Sequence, residues 1–98
     1  MPSVKAHCEA AERTFGKPYT EVHEWLDAFY KTPGFGGIAH RRKRHHLKGI
    51  MEISEMWGER AADVARQHIK MDLEQIDWKG PFPIDEDHCI KLGLWVTR

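Results

Sequence analysis

The chain is short of most features that would settle its class at a glance. It has only two cysteines, Cys8 and Cys89, in 98 residues. That is too few for the disulfide framework of a small secreted domain, so a reducing, cytoplasmic setting is the expectation. No apolar run approaches the ~20 residues of a membrane-spanning helix, and Met1-Pro2-Ser3-Val4-Lys5 does not open a signal peptide. Neither sign of charge is in excess: fifteen Lys and Arg balance fifteen Asp and Glu. This argues against a protein that coats nucleic acid through a general positive field. No HExxH, no paired CxxC and no GK[ST] loop occurs, which removes the best-marked metal and nucleotide signatures. The length allows one modest core and no second catalytic unit.

What is present is enough hydrophobic material to fold, 41% of residues with four Trp and four Phe, together with seven histidines. Ser3 is placed to cap a helix over residues 4–15, with Val4, Cys8, Ala11 and Phe15 as its stripe and Gly16 and Pro18 as its stop. Thr20 is the next cap candidate, for a helix carrying Val22, Trp25, Leu26 and Phe29 and ending near Lys31. Thr32-Pro33-Gly34-Phe35-Gly36-Gly37 breaks the chain. Ile38 to Trp57 reads as one long helix with Ile50, Ile53 and Trp57 on its inner face. Gly58 separates it from a fourth helix, residues 59–76, with Ala62, Ala65, Ile69, Leu73 and Ile76 inward.

The expected fold class is therefore all-α: a four-helix, antiparallel, bundle-like body over residues 1–79, followed by an extended tail over residues 80–98. In the tail, Ile90, Leu92, Leu94 and Val96 alternate with Lys91, Gly93, Trp95 and Thr97. The alternation fits one strand that pairs with a second copy, a segment draped over the bundle, or a short helix weakened by Gly93. The first option makes a homodimer through the tail the expected partner state.

Helical spacing places a histidine at the inner edge of each helix. His46 falls in the stripe of Ile50, Ile53 and Trp57, while His45 points outward and His40 lies near the border. His68 and Asp72 stack one turn apart, His23 flanks Leu26 with Asp27 one turn on, and His7 adjoins Cys8 and Ala11. Bundle metal sites are assembled in this way, from His and carboxylate side chains on facing helices. His23, His46, His68 and Asp72 are the candidate ligands, with His7, His40, His45 and Glu52 in reserve. Mixed imidazole and carboxylate donors suit Zn, Ni, Fe or Mn. The competing reading is that each histidine buries its ring and hydrogen-bonds a neighbour, as His68 with Asp72 or His23 with Asp27.

The zero net charge conceals a dipole. Arg41, Arg42, Lys43, Arg44 and Lys48 occur with no acid between residues 40 and 48, leaving ten cations against fifteen carboxylates elsewhere. Arg41, Arg42, Arg44 and Lys48 are candidates for an anion or partner surface; Arg41 and Arg44 are expected to face outward. Nucleic acid is a permitted partner but not the preferred one, because no coherent basic face or helix-turn-helix accompanies the run. His7-Cys8 does not make a thiol mechanism, since neighbours on a helix point about 100° apart, and Asp87-His88-Cys89 in the tail is a short local run, not the spatial arrangement of a triad.

Several blocks carry a resemblance: His7-Cys8-Glu9 to Phe15-Gly16, Val22-His23-Glu24-Trp25-Leu26-Asp27, His40-Arg41 with Arg44-His45-His46 and Gly49-Ile50, and Gln67-His68-Ile69 with Asp72-Leu73. Together, over residues 7–78, the chain resembles a small bacterial and phage family of helical proteins, a domain of unknown function. The HR-x-x-RHH-x-x-GI block is its most distinctive piece. The resemblance implies an all-helical body and places His7, His23, His40, His45, His46 and His68 at motif positions. It assigns no activity. If the protein is an enzyme, metal-dependent hydrolysis is the expected class, with Asp72 or Glu52 as candidate base. The alternative is a non-catalytic module that uses segment 41–48 to meet an acidic or nucleic-acid partner.

Overall fold

The computed structural model describes residues 3–35 and 38–96. Helix α1, Val4–Phe15, begins where Ser3 Oγ accepts the Ala6 N–H at 3.1 Å. It ends at Gly16, whose φ of 84° suits a residue without a side chain. Its buried residues are His7, Ala10 and Ala11, so the inward face is turned from the expected stripe. Val4, Cys8 and Phe15 are only half-buried. Hydropathy cannot nominate a histidine as the centre of a face, and that is what His7 is.

Helix α2, Thr20–Leu26, buries Val22, His23 and Leu26. Its cap is Tyr19 in a left-handed conformation, not Thr20, and it stops five residues before Lys31. Asp27 closes it, and successive turns follow, with the Tyr30 N–H donating to the Asp27 carbonyl.

The single helix expected from Ile38 to Trp57 is two: α3, Arg41–Arg44, and α4, Leu47–Trp57. His45 ends the first. His46, extended at φ −159° and ψ 176°, caps the second by accepting the Gly49 N–H through Nδ1 at 3.1 Å. A methyl group on Gly49 would collide with the Arg44 carbonyl, so the close approach of the two helices depends on that glycine. The break changes what the two histidines do. His45 is wholly buried, and His46 is spent on the cap. Ile50 and Ile53 are core residues as expected, whereas Trp57 is 41% exposed.

Gly58, at φ 92° and ψ 177°, turns α4 directly into α5, Glu59–Gln75. Helices α4 and α5 pack together, and α5 also lies against α1 and α2. Its inner face is Ala61, Val64, Ala65, His68, Ile69, Asp72 and Leu73, while Ile76 is exposed.

The tail is not a strand. Asp85 accepts the His88 N–H at 2.8 Å and starts α6, Glu86–Leu92, which ends at Gly93 with φ 70°. The acids Glu86 and Asp87 in its first turn suit the positive end of the helix dipole. Ahead of it, the Pro83 and Ile84 carbonyls accept the Leu47 and Lys48 N–H groups, supplying acceptors to the start of α4. The alternating residues separate: Ile90 is exposed, while Leu94 and Trp95 join the core with Cys89. The segment that would have paired with a second copy as a strand is thus helical, and its largest side chain is buried in its own chain. Thr97, at the end of that alternation, lies outside the described residues.

Among the described residues there are six helices and no strand, and the Cα radius of gyration of 12.5 Å is that of a close-packed chain of this length. No described helix is long and apolar enough to cross a membrane.

Candidate metal centre

The core has a polar interior. His7, His23, His40, Arg41, His45, His68 and Asp72 are each at most 3% exposed. Charged and polar groups are tolerated at such depth only when they satisfy one another. α1 contributes His7, α2 contributes His23 and its closing residue Asp27, the α3 segment contributes His40, Arg41 and His45, and α5 contributes His68 and Asp72.

Four of these converge on one point. His45 Nε2 is 3.0 Å from Asp72 Oδ2, 3.3 Å from Asp27 Oδ1 and 3.1 Å from His68 Nε2. His68 Nε2 is 3.4 Å from Asp72 Oδ2 and 3.5 Å from Asp27 Oδ1. A tetrahedral ion with bonds of about 2.0–2.1 Å has ligand atoms roughly 3.3–3.4 Å apart. One donor atom from each of the four residues lies within 4.8 Å of the others, so the residues can hold an ion.

Hydrogen bonds behind the four donors decide which atoms are available. The Pro18 carbonyl can only accept, so His23 Nε2, 3.0 Å away, carries a proton and donates it. Burial and the neighbouring His68 and His7 push His23 down to about 4, so its other nitrogen is bare near neutrality. His23 Nδ1 is 2.9 Å from His68 Nδ1, and therefore accepts from it. The proton on His68 is thus at Nδ1, which leaves the Nε2 lone pair directed at two carboxylate oxygens and His45. Fixing a tautomer through the far nitrogen is how proteins prepare a histidine ligand.

The carboxylates are prepared as well. Asp72 Oδ1 accepts from His7 Nε2 at 3.1 Å and pairs with Arg41 Nη2 at 3.3 Å, leaving Oδ2 for the centre. His40 Nε2 donates to Asp27 Oδ1 at 3.1 Å. Burial by itself would raise Asp27, but hydrogen bonds from His40 and His45 hold it far below the usual carboxylate range. The same balance, with His45 and His7 as donors, keeps Asp72 ionised. The rings are ordered too: His7 stacks on His68 with centroids 3.5 Å apart, and Trp95 covers His45 edge to face. A cavity of about 330 Å³ reaches Asp27, Asp72, His40 and Arg41 from the surface.

Of the candidate ligands, the structure brings His68 and Asp72 together. His23 stands behind His68, and His46 is elsewhere, with Nε2 donating to the Lys43 carbonyl at 3.0 Å. Among the reserves, His45 enters the centre, and His7 and His40 each hold one of its carboxylates. Glu52 is exposed on α4. Asp27 was visible in the sequence only as a neighbour of His23, because its role comes from closing α2 against α3. Arg41, expected to face outward, is buried on Asp72, since the short α3 presents it inward. The other cations of its run are engaged within the chain, Lys48 excepted: Arg44 lies 3.9 Å from the Trp25 ring and donates to the Trp25 carbonyl, Lys43 pairs with Glu86, and Arg42 donates to the Ala39 carbonyl. Lys48 is exposed. Burial, with Asp85 and Glu86 nearby, pushes the Cys89 thiol up to about 12, which makes it inert as a nucleophile.

Comparison with protein families matches residues 2–84 to a domain of unknown function, DUF6915. The match spans most of the chain, including every residue of the histidine cluster. No curated protein and no solved structure matches. The chain belongs to the DUF6915 family.

Proposed function

We propose that this DUF6915 member binds one divalent transition-metal ion through Asp27, His45, His68 and Asp72. The observation that carries the reading is the spacing of the donor atoms: five of their six separations fall between 3.0 and 3.5 Å. The prepared tautomer of His68 supports it. A bare imidazole nitrogen and two carboxylate oxygens, with one His45 N–H among them to share, form a cluster that favours a cation at its centre. An ion of charge +2 together with Arg41 offsets the two buried carboxylates. Two nitrogens and two oxygens suit Zn, Fe, Mn or Ni. The chemistry such an ion supplies is polarisation of a bound group or activation of water, so metal-assisted hydrolysis is the reaction class that fits.

The competing reading is a metal-free network of buried histidines and carboxylates. Elemental analysis of protein purified without an affinity tag distinguishes the two. Near-stoichiometric metal is expected, lost in His68→Ala and Asp72→Asn. Metal-free protein whose Tm does not move on addition of Zn, Ni, Fe or Mn would reject the proposal. The basic segment has less support as a partner surface, because Arg41 is buried and Arg42, Lys43 and Arg44 already have acceptors or ion partners within the chain.

A further inference from the structure

The cavity beside the centre has a chemistry of its own. It runs from Ser3 and Tyr30, both exposed, past Val4 to Arg41 and Asp72, both buried. Arg41 is 1% exposed, its Nη1 donates to Gln75 Oε1 at 3.0 Å and its Nη2 pairs with Asp72, yet its Nε has no hydrogen-bond partner. Buried N–H groups without an acceptor are few in folded proteins. A guanidinium donor on a cavity wall is well matched to a planar or tetrahedral oxyanion, because it offers charge and direction together. The cavity volume of about 330 Å³ is at the lower end for small-molecule sites. Val4 and Tyr30 add apolar surface on the solvent side.

We infer that this cavity admits a small molecule bearing one carboxylate or phosphate group, held by Arg41 next to the metal ion. The inference rests on the metal reading. Without a cation, Asp27 and Asp72 on the same wall repel an anion; with one, the sign of the local field reverses. Anion binding is therefore metal-dependent, and the anion approaches from the cavity side, which Asp27 and Asp72 line.

The test uses the full chain loaded with Co(II), whose visible absorption reports its coordination, titrated separately with acetate and with inorganic phosphate. One or both should shift the Co(II) spectrum saturably, while calorimetry on metal-free protein shows binding of neither. A response to acetate alone identifies a carboxylate ligand, and a response to phosphate alone a phosphorylated one. Arg41→Gln should weaken the response at least about tenfold. Val4→Phe, which fills the cavity without altering a metal-binding side chain, should do the same while leaving the anion-free Co(II) spectrum unchanged. If Arg41→Gln does not fold, Val4→Phe decides alone. Co(II) bound with neither anion perturbing it overturns this inference and leaves the metal reading standing, as does an undiminished response in Val4→Phe. Failure to bind Co(II) overturns both.

Discussion

His23 contributes no atom to the proposed centre, yet it decides which nitrogen of His68 is free. The chain from the Pro18 carbonyl through His23 to His68 has one proton arrangement when both rings are neutral. Replacing His23 by Phe removes the acceptor for His68 Nδ1 and lets the ring flip or change tautomer. Metal affinity should then fall about 10–100-fold with the fold retained, as removal of a group that orients a ligand does elsewhere. Competition with a chelator measures this, and unchanged affinity would show that His68 is not prepared through His23. The same residue confers a pH dependence on the metal-free protein. His23 is lowered in the folded state from 6.5 to about 4. The unfolded chain therefore binds the extra proton first, and stability falls as pH drops through that window. By pH 5 the loss from this group is about 2 kcal/mol relative to pH 7. Urea unfolding at the two pH values should show the difference, and His23→Phe should show less of it. The histidine count and the His68–Asp72 spacing made part of this site legible in the sequence. The orientation of each ring was not, because it depends on partners that only the fold brings together, as His23 against His68, 45 residues apart along the chain.

At the scale of the element, the decisive event is the two-residue break between α3 and α4. An uninterrupted helix would send His45 to solvent and His46 inward; the break buries both, His45 in the cluster and His46 as the cap of α4. The sequence block His40-Arg41-x-x-Arg44-His45-His46-x-x-Gly49-Ile50 encodes it, since each member does something different. His40 holds a carboxylate, Arg41 is the buried cation and Arg44 stacks on an aromatic ring. His45 supplies a donor atom, His46 caps a helix, Gly49 allows the close approach and Ile50 enters the core. Periodicity alone could not reveal it, because no proline marks the join and a histidine cap looks like any helical residue. Two glycine variants separate local stability from the site. Gly49→Ala sets a methyl group against the Arg44 carbonyl and should cost about 1–3 kcal/mol, with weakened metal binding, because the adjustment moves His45. Gly58→Ala has open space but a φ of 92°, so strain of about 1–3 kcal/mol is expected with metal affinity unchanged. Equal effects on metal binding in the two variants would contradict the account of the break. The tail helix is only one of three sequence readings for a related reason: Asp85 and Gly93 are good caps, but period-2 alternation competes with them.

For the whole molecule, the question is what keeps water from a core built of imidazoles. Leu94 and Trp95 follow α6 and are 1% and 2% exposed. The Trp95 ring meets His45 edge to face at 5.7 Å and lies 5.9 Å from the Arg41 guanidinium. The family match ends at residue 84, so the cover over the cluster is supplied by the part of the chain beyond it. Removing that cover affects two terms together. Trp95→Ala deletes a large buried side chain and should cost about 3–5 kcal/mol. It also uncovers His45, which is wholly buried and does not line the cavity, so that its contacts with Asp72 and His68 weaken as water enters. Bound metal should then exchange faster with a chelator, whereas a substitution of similar cost on α4, which contributes nothing to the cluster, such as Ile53→Ala, should lower Tm without changing the exchange rate. Measuring exchange in both variants at a temperature where each is fully folded separates the two effects. Equal rates would mean that Trp95 contributes packing alone, and that the cluster is kept dry by α1, α2 and α5 without the tail.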